Sequence, residues 1–407
     1  MRTPPLWLCG DAWAPVAWYI MLDAMKIVIA PQTFKGSISA LDAARAMRDG
    51  VRRVVAEVDV VLVPVADGGD GTLETLVEGS DGEIRESEVT GPLGERIIAK
   101  WGAMGDGRTA LIEMARTSGL ALVPIAKRNP LVTTTYGLGE LIRHALDAGF
   151  RRFIVGIGGS ATNDAGAGMA QAMGIRLLDA QGQTILHGGA ALAHLANVDL
   201  TELDSRAEES KFLVACDVNN PLTGPEGASA IYGPQKGATT EMVARLDAAL
   251  AHFAEVVRRD IGVDISDVPG AGAAGGLGGG LIAFLGAELR TGVDIVLDAV
   301  AQDPHLDGAD LVITGEGCLD HQTVYSKAPI GVAARASARG IPVVAVSGSL
   351  GERYREVHEH GIEAAAAITC GPMTLDQATS QAYELLADAT EEAIRFMKVG
   401  ARVFKMA

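Results

Sequence analysis

Apolar residues in this chain form short β-branched runs that alternate with segments of helical spacing. The run at 26–30 (KIVIA) has the pattern of a buried parallel strand, and helical apolar spacing follows over 40–55 behind Ser39, a candidate N-cap. A second strand is predicted at 58–63. A strand, a helix and a strand in this order indicate a right-handed crossover within a parallel sheet.

The same kind of unit returns near the C-terminus, before a long helix that is predicted at the end of the chain. The predicted strands there are 311–314, 343–347 and 364–368, and the predicted helices are 329–339 and 352–360. The middle of the chain has more extended segments, at 84–89, 97–104 and 109–113. We therefore predict that the chain leaves its first sheet, forms an inserted second α/β domain over 90–290, and then returns.

Residues 1–24 differ in composition from the rest, with an apolar run at 12–22 and three of the chain's four tryptophans. A signal peptide is one interpretation of this segment. However, the run is too short to span a bilayer, and Asp11 and Asp23 flank it. We therefore favour a dispensable extension, with the folded part of the protein starting at Met25.

Length and charge narrow the class of protein. A chain of 407 residues is longer than one hydrophobic core usually supports, so two domains are expected. The formal net charge of -17 argues against nucleic acid or an anionic membrane as a partner. The four cysteines form no C-x-x-C pair, which disfavours a zinc ribbon or a disulfide framework and favours a reducing, cytoplasmic location.

Three glycine-rich loops with charged residues follow predicted strands of the parallel sheet. They are 31–37 (PQTFKGS), 66–72 (ADGGDGT) and 315–320 (GEGCLD). The carboxyl edge of such a sheet is where ligands bind, and glycine lets the backbone approach a phosphate closely. Further loops of this kind lie in the middle domain, at 158–164, 216–224, 233–237 and 269–280. Because no Walker A sequence is present, we exclude a P-loop kinase.

Two segments resemble the fingerprint of dinucleotide-binding proteins. The loop 156–161 (GIGGSA) follows a strand predicted at 153–155, and Asp179 lies about where an acid that binds ribose would be. The other match, 270–275, follows a proline rather than a strand and is weak. An NAD-linked oxidoreductase is therefore the alternative function. Against it, Asp164 falls where a carboxylate would repel a pyrophosphate, unless a metal ion intervenes.

Seven ordered sequence blocks resemble those of the bacterial type I glycerate kinase family, over residues 25–395. In this chain they read APQTFKGS, PVADGGDGT, GGSATNDAGAG, ACDVNNPL, GPQKGA, PGAGAAGG and GEGCLD. The resemblance implies ATP-dependent phosphorylation of D-glycerate, generally to 2-phosphoglycerate, with Mg²⁺, in a cleft between two domains. It also implies a discontinuous flavodoxin-like or Rossmann-like parallel-sheet domain, formed by 25–89 and 291–407, around the inserted α/β domain at 90–290.

The chain departs from the family pattern at three places. Gln32 replaces an acid, and Tyr325 with Ser326 stands where His-Gly commonly precedes Lys327. Most seriously, Cys318 replaces an arginine, and a thiol cannot make the bidentate contact of a guanidinium with a carboxylate or phosphate. This change keeps a third function open, a ligand sensor without catalysis on a kinase-like fold.

The motif positions give the candidate site residues. The catalytic candidates are Asp320 and Asp67, to receive the proton of the glycerate hydroxyl, and Lys327. The candidates for binding substrate are Lys35, Ser37, Asp70 and Glu316. The candidates for binding nucleotide or phosphate are Gly158, Gly159, Ser160, Lys236, Gly275 and Gly276. For magnesium we predict Asp164 and Asp217, because Asn163 and Asn220 offer neutral oxygen ligands nearby.

The expected partners are small molecules, D-glycerate and ATP, rather than nucleic acid or a membrane. A homodimer stays open, as does the choice between 2- and 3-phosphoglycerate as the product.

Overall fold

The computed structural model describes residues 25–34, 36–66, 71–300, 302–325 and 327–404. In chain order its strands are β1 (Lys26–Pro31), β2 (Asp59–Leu62), β3 (Glu83–Thr90), β4 (Arg96–Ala103), β5 (Thr109–Glu113), β6 (Arg152–Gly156), β7 (Arg176–Leu178), β8 (Asn197–Asp199), β9 (Lys211–Ala215), β10 (Glu288–Arg290), β11 (Leu311–Gly315), β12 (Cys318–Leu319), β13 (Val343–Ser347), β14 (Ser349–Leu350) and β15 (Ala364–Ala367).

The α-helices are α1 (Ala40–Val54), α2 (Thr72–Gly79), α3 (Ala115–Ser118), α4 (Tyr136–Asp147), α5 (Ala167–Ala172), α6 (Ala228–Tyr232), α7 (Thr240–Ile261), α8 (Ala273–Leu285), α9 (Gly292–Ala299), α10 (Gln302–Leu306), α11 (Ala328–Ser337), α12 (Leu375–Ser380) and α13 (Ala382–Phe404). Short 3₁₀ turns lie at Leu120–Leu122, Ile125–Lys127, Gly189–His194, Ser205–Ala207, Pro234–Lys236 and Tyr354–His360. None of the described helices is both long and apolar enough to cross a membrane.

The chain forms two compact units. The first combines the described residues up to Val65 with those that follow Ala301, and the second is Ala66–Val300. The sheet of the first unit has the order β15-β13-β11-β1-β2, and all of its pairs are parallel. Numbered along the chain, this is the order 2-1-3-4-5 of flavodoxin-like folds, which bind ligands where the order reverses, between β1 and β11. The predicted α/β fold class is confirmed.

Helix α1 shows why the local sequence of the first unit folds as it does. Ser39 caps it as predicted, since its Oγ accepts a hydrogen bond of 3.1 Å from the backbone N–H of Asp42. The buried face of the helix is rich in alanine. Gly50 allows α13 to pack closely, because a Cβ at this position would lie 2.2 Å from the carbonyl oxygen of Ala387.

The second unit is built on a mixed sheet with the order β10-β9-β6-β5-β4-β3. Strands β5, β6, β9 and β10 are parallel to one another, whereas β4 is antiparallel to both β3 and β5. Phe153 and Phe212 stack in its core with ring centroids 4.6 Å apart. The loops at the carboxyl ends of β6 and β9 carry two of the predicted blocks, 158–164 and 216–224.

The structure differs from the sequence prediction at two elements. The helix predicted at 352–360 is the 3₁₀ turn Tyr354–His360, and the long C-terminal helix is divided into α12 and α13. The predicted domain boundary at 89/90 also differs from the boundary of the compact units, which follows Val65. Because β3 pairs with β4 along its full length, β3 belongs with the second unit. The division into functional domains stays a prediction.

Candidate active site

The second unit contains a pocket of about 230 Å³, which we call the loop pocket. Its walls are the loop 157–160 after β6, the segment 215–218 at the end of β9, the residue pair 273–274, and Tyr232, Gln235 and Lys236. The structure therefore brings together residues from four of the blocks predicted from the sequence. Two of these blocks lie at the carboxyl ends of the neighbouring parallel strands β6 and β9, which is where ligands bind in sheets of this kind.

The loop after β6 presents unpaired backbone donors. Within the described part of the chain, the N–H groups of Gly158, Gly159 and Ser160 donate no hydrogen bond. The loop is nevertheless held in place, because Leu120 N donates to Gly159 O at 2.7 Å and Ala161 N donates to the carbonyl of Ser118 at 2.9 Å. Gly159 has φ +71°, a conformation that favours glycine. Successive free N–H groups in such a turn form an anion-binding concavity.

Gly275 and Gly276 have a packing role in this structure. A Cβ on Gly275 would lie 2.0 Å from Thr162 O, and one on Gly276 would lie 3.0 Å from the Cα of Ala165. Both residues also have positive φ. The glycines let the start of α8 lie directly on the 158–164 loop, whereas their neighbours at 273–274 line the loop pocket. The predicted segment therefore reaches the loop pocket through residues 273–274 and not through Gly275 and Gly276, whose role in binding stays a prediction.

Lys236 reaches the loop pocket from a short turn whose shape the sequence dictates. Pro234 begins the 3₁₀ turn, and Gly237 ends it with φ +91°, where a Cβ would lie 2.5 Å from the carbonyl oxygen of Arg128. The side chain of Lys236 is 2% exposed. Its Nζ donates to Thr162 O at 2.6 Å and to Ser160 Oγ at 3.4 Å.

Burial changes the acidity of this amine. Loss of hydration lowers the pKa of Lys236 from 10.5 to about 7, and the negative charge of Asp164 opposes that effect. No ion pair of Lys236 occurs among the described residues. An ammonium group has three N–H donors, and two of them have acceptors here, so one stays free for a ligand.

Asp164 does not fit the magnesium role that the sequence predicted for it. Its side chain is fully buried, and Oδ2 accepts hydrogen bonds from both the N–H and the hydroxyl of Thr135, each at 2.9 Å. The N–H groups of Gly166 and Gly168 also donate to this carboxylate, each at 3.3 Å. With its oxygens occupied by four donors, Asp164 holds the loop between α4 and α5 rather than a metal ion.

Asp217 lies differently. It lines the loop pocket and is exposed, and its Oδ1 accepts a hydrogen bond of 2.8 Å from Gly292 N. The described residues contain no group of three or more His, Cys, Asp or Glu side chains that could hold a metal ion. Magnesium usually reaches kinase sites with the nucleotide, through one or two carboxylates plus phosphate oxygens. The residues present fit that mode, with Asp217 as the carboxylate, and do not fit a metal cage made by protein alone.

The first unit has its own pocket of about 350 Å³, which we call the edge pocket. It lies at the carboxyl ends of β1, β11, β13 and β15, and its lining includes Phe34, Ser37, Gly317 and Ser349. The ends of β1 and β11 flank the reversal of strand order described above. The sequence therefore predicted correctly that the 31–37 and 315–320 loops share one edge.

Beside the edge pocket, the predicted site residue Glu316 contacts a second one, Lys327. It is buried, its Oε1 accepts a hydrogen bond of 2.6 Å from the hydroxyl of Thr323, and its Oε2 lies 3.6 Å from Lys327 Nζ. Burial raises the pKa of Glu316, while Thr323 and Lys327 oppose that rise. Glu316 therefore orients Lys327. Sequence reasoning missed Thr323, because a threonine seven residues away in a loop carries no motif signal.

Asp320 and Cys318 lie together on the next turn of this loop. Asp320 Oδ1 accepts a hydrogen bond of 2.8 Å from Gln322 N, and Oδ2 lies 4.0 Å from the thiol sulfur of Cys318. Cys318 is exposed. Asp320 therefore keeps an oxygen without a strong partner, as a base requires. Three other predicted site residues, Lys35, Asp67 and Asp70, lie outside the described residues.

The segment that resembled a dinucleotide fingerprint does not have the required structure. After the loop at 158–160 the chain stays irregular, and α5 begins only at Ala167. A dinucleotide site needs a glycine loop that opens directly into the helix whose N-terminus holds the pyrophosphate. The weaker match, at 270–275, runs into α8 with left-handed residues instead of a strand and turn.

Comparison with known proteins gives one consistent result. The model of the glycerate kinase family matches residues 27–398. A glycerate kinase of Bacillus subtilis (strain 168) is 52% identical over 93% of this chain and 100% of its own, and the glycerate 2-kinase of Escherichia coli (strain K12) is 50% identical over 93% and 99%. A crystal structure described as glycerate kinase 2, from Salmonella typhimurium LT2, aligns with a TM-score of 0.87 and 51% identity over 93% of this chain and 100% of that one.

Proposed function

The chain belongs to the glycerate kinase family, and from that premise we propose that it transfers the γ-phosphoryl group of ATP to D-glycerate, with each of the two pockets serving one substrate. Membership in a family of kinases argues against both alternative functions, the NAD-linked oxidoreductase and the ligand sensor without catalysis. The relative named glycerate 2-kinase supports 2-phosphoglycerate as the product. The observation that carries the proposal is the loop pocket, in which free backbone N–H groups and a buried amine converge.

The loop pocket has the features that bind a polyphosphate. Phosphoryl transfer leaves little covalent work to the protein, so catalysis depends on position and on stabilising negative charge. The N–H groups of Gly158, Gly159 and Ser160 and the third N–H of Lys236 supply four donors without moving a protein group. We assign the phosphates of ATP to them. Donors that are already fixed need no reorganisation as charge develops.

Of the two acids predicted for magnesium, Asp217 fits this proposal. When bound, the ion neutralises phosphate charge and so helps the leaving group depart. Asp217 is suited to orient it because its Gly292 N–H contact fixes one carboxylate oxygen and the side chain is exposed to the pocket. Asp164 is excluded from this role by its burial and its four donors.

We assign glycerate to the edge pocket of the first unit. Ser37 and Ser349 line it with hydroxyl groups, and Asp320 keeps a carboxylate oxygen that can accept the proton of the reacting hydroxyl. Lys327, held by Glu316, is the described cation nearest to this loop in sequence and supplies positive charge there. Lys35 follows Phe34 directly in the sequence and is proposed as the contact of the substrate carboxylate.

The test is a kinase assay with a matched pair of variants. The protein with ATP, Mg²⁺ and D-glycerate should form ADP, and ¹³C NMR of the product should show phosphorylation at carbon 2. Lys236→Met should raise KM for ATP by roughly ten- to a hundredfold, the value of one charge-assisted hydrogen bond. Lys211→Met, which removes an exposed lysine at the start of β9, is the control and should change nothing. Equal KM values for ATP in both variants would contradict the assignment.

We also propose a cytoplasmic location, supported by the absence of paired cysteine motifs in the sequence. A homodimer stays a prediction.

A further inference from the structure

Asp164 is a fully buried carboxylate that no described cation pairs with. Its four hydrogen bonds come from Thr135, which starts α4, and from the backbone at the start of α5. The Thr135 hydroxyl itself accepts a hydrogen bond of 3.0 Å from Met169 N. Burial raises the pKa of Asp164, and the backbone and hydroxyl donors oppose that rise because they stabilise the ionised form. These hydrogen bonds fix the position of the Asp164 carboxylate, so its distance from neighbouring groups stays constant.

The negative charge of Asp164 acts on the buried amine of Lys236 and opposes the decrease in its pKa. Its strongest contact is with Thr162 O, two residues before Asp164 in the same loop. The other titratable groups at the loop pocket are Cys216, Asp217 and Tyr232. Burial raises the pKa of Cys216 and of Tyr232, so both stay neutral where Lys236 titrates. Asp217 is exposed and separated from the amine by solvent screening.

We propose that Asp164 is a positioning residue for ATP, whose negative charge favours the ammonium form of the Lys236 amine and whose hydrogen bonds hold the loop that receives this amine. The inference rests on the proposed function, because it takes Lys236 to bind phosphate. It assigns to Asp164 a role that requires no metal ion. Without this counter-charge, burial of a lysine that is 2% exposed would lower its pKa further.

Removal of the Asp164 charge should therefore lower the pH at which Lys236 deprotonates. The pKa of Lys236 is already about 7 with Asp164 present, so a further decrease moves deprotonation into the acidic range. At an effective dielectric constant of about 20, the loss of one nearby charge shifts such a titration by about one pH unit. At pH 7.5, the variant would then hold several-fold fewer ammonium groups than the natural protein.

The direct measurement is NMR of ¹³Cε-labelled lysine over pH 5–10, with the Lys236 signal assigned by its loss in Lys236→Met. Asp164→Asn should move the Lys236 midpoint down by about one pH unit and shift the alkaline limb of kcat/KM for ATP by the same amount. The matched control is Asp106→Asn. Like Asp164, Asp106 accepts from backbone N–H groups and a threonine hydroxyl, with two N–H donors instead of three, but it lies in the turn before β5. It should leave the midpoint unchanged.

A second variant covers the case in which Asp164→Asn does not fold. Thr135→Val removes one donor to the carboxylate and should shift the Lys236 midpoint in the same direction by a smaller amount. An unchanged midpoint in a folded Asp164→Asn, or in Thr135→Val if the former does not fold, would overturn the proposal. The NMR titration requires no turnover. The titration can therefore contradict the role of Asp164 while the kinase assay succeeds, and it can support that role while the kinase assay fails. The two proposals are thus tested separately. A raised Mg²⁺ requirement with an unshifted midpoint would return Asp164 to a metal role.

Discussion

Replacing the buried lysine of the loop pocket should make the protein more stable while it weakens ATP binding. In Lys236→Met the side chain keeps its unbranched shape as far as Cε and loses the amine. The folded state binds the Lys236 proton more weakly than the unfolded chain does, since its pKa falls from 10.5 to about 7. The unfolded state therefore holds more protons between these two values, and stability rises with pH across that window.

The magnitude follows from the same pair of values. At pH 7 the depressed pKa of Lys236 corresponds to about 4 kcal/mol of lost folding free energy, at about 1.4 kcal/mol for each tenfold change in proton affinity. The methionine variant recovers this cost. It also removes the 2.6 Å hydrogen bond from Lys236 to Thr162 O, which then keeps only a contact of 3.3 Å with the Ser160 hydroxyl, at a cost of about 1–3 kcal/mol. The net expectation at pH 7 is a gain of about 1–3 kcal/mol in the free energy of unfolding.

The assay is guanidinium unfolding followed by circular dichroism at pH values from 6 to 10, for the natural protein, Lys236→Met and the control Lys211→Met. The natural protein and the control should become more stable as the pH rises from 7 towards 10. Lys236→Met should lack that part of the slope, so its advantage should shrink with rising pH. If Lys236→Met were less stable than the natural protein at pH 7, and its free energy of unfolding changed with pH in the same way, the claim that burial of Lys236 costs folding free energy would be refuted.

Four further changes have definite expected outcomes. Asp217→Asn should lower kcat at saturating Mg²⁺ on the order of a hundredfold, with little change in melting temperature, because Asp217 is exposed. Cys318→Arg should lower KM for glycerate roughly tenfold or more in steady-state kinetics; an unchanged KM would mean that another residue binds the carboxylate. Thr323→Val should destabilise the protein by about 1–3 kcal/mol in chemical unfolding, since the Thr323 hydroxyl donates to Glu316 and accepts from the Asp320 N–H. Deletion of residues 1–24 should leave turnover and melting unchanged, because the first described strand begins at Lys26 and no predicted site residue precedes it; a markedly lower melting temperature would contradict this.

The central strands of the first sheet, β1, β11 and β13, could be predicted because each is a short run rich in β-branched residues that is buried on both faces. β1 and β11 were found within one or two residues of their observed bounds. Their order in the sheet is a different matter, since which strands lie side by side depends on contacts between residues nearly 300 positions apart, such as Ile27 with Leu311. That order came from resemblance to a family and not from the local pattern.

The turn Tyr354–His360 shows where periodicity misleads. Helical spacing predicted a regular helix there. However, Arg353 takes a left-handed φ of 57° at its start, and Gly361 ends the segment with φ +91°. Within it Val357 is the buried residue. One apolar contact does not give a helix a face to pack, so the segment adopts the tighter 3₁₀ form.

The candidate site could be predicted by block but not by residue. Blocks 158–164 and 233–237 do meet in the loop pocket. Asp164 was assigned to magnesium because an acid next to asparagine in a glycine-rich loop is typical of a metal ligand. The Thr135 group that occupies its carboxylate lies 29 residues away, and nothing near Asp164 in the sequence reveals that it is buried. Burial decides between a metal ligand and a structural acid, and burial is a property of the fold.

The charges around the edge pocket explain why the cysteine at 318 matters for this enzyme. Glycerate is an anion, and the described part of the 315–327 loop has two acids, Glu316 and Asp320, against one lysine. That lysine, Lys327, is already 3.6 Å from Glu316, so much of its charge is neutralised before any substrate arrives. An arginine at 318 would add a permanent positive charge, but the thiol that it replaces lies 4.0 Å from Asp320 Oδ2. The same guanidinium that binds the substrate carboxylate would therefore also compete for the proposed base. A gain in glycerate affinity and a loss in kcat are expected together, and the cysteine keeps Asp320 available for the proton of the hydroxyl at the cost of weaker binding.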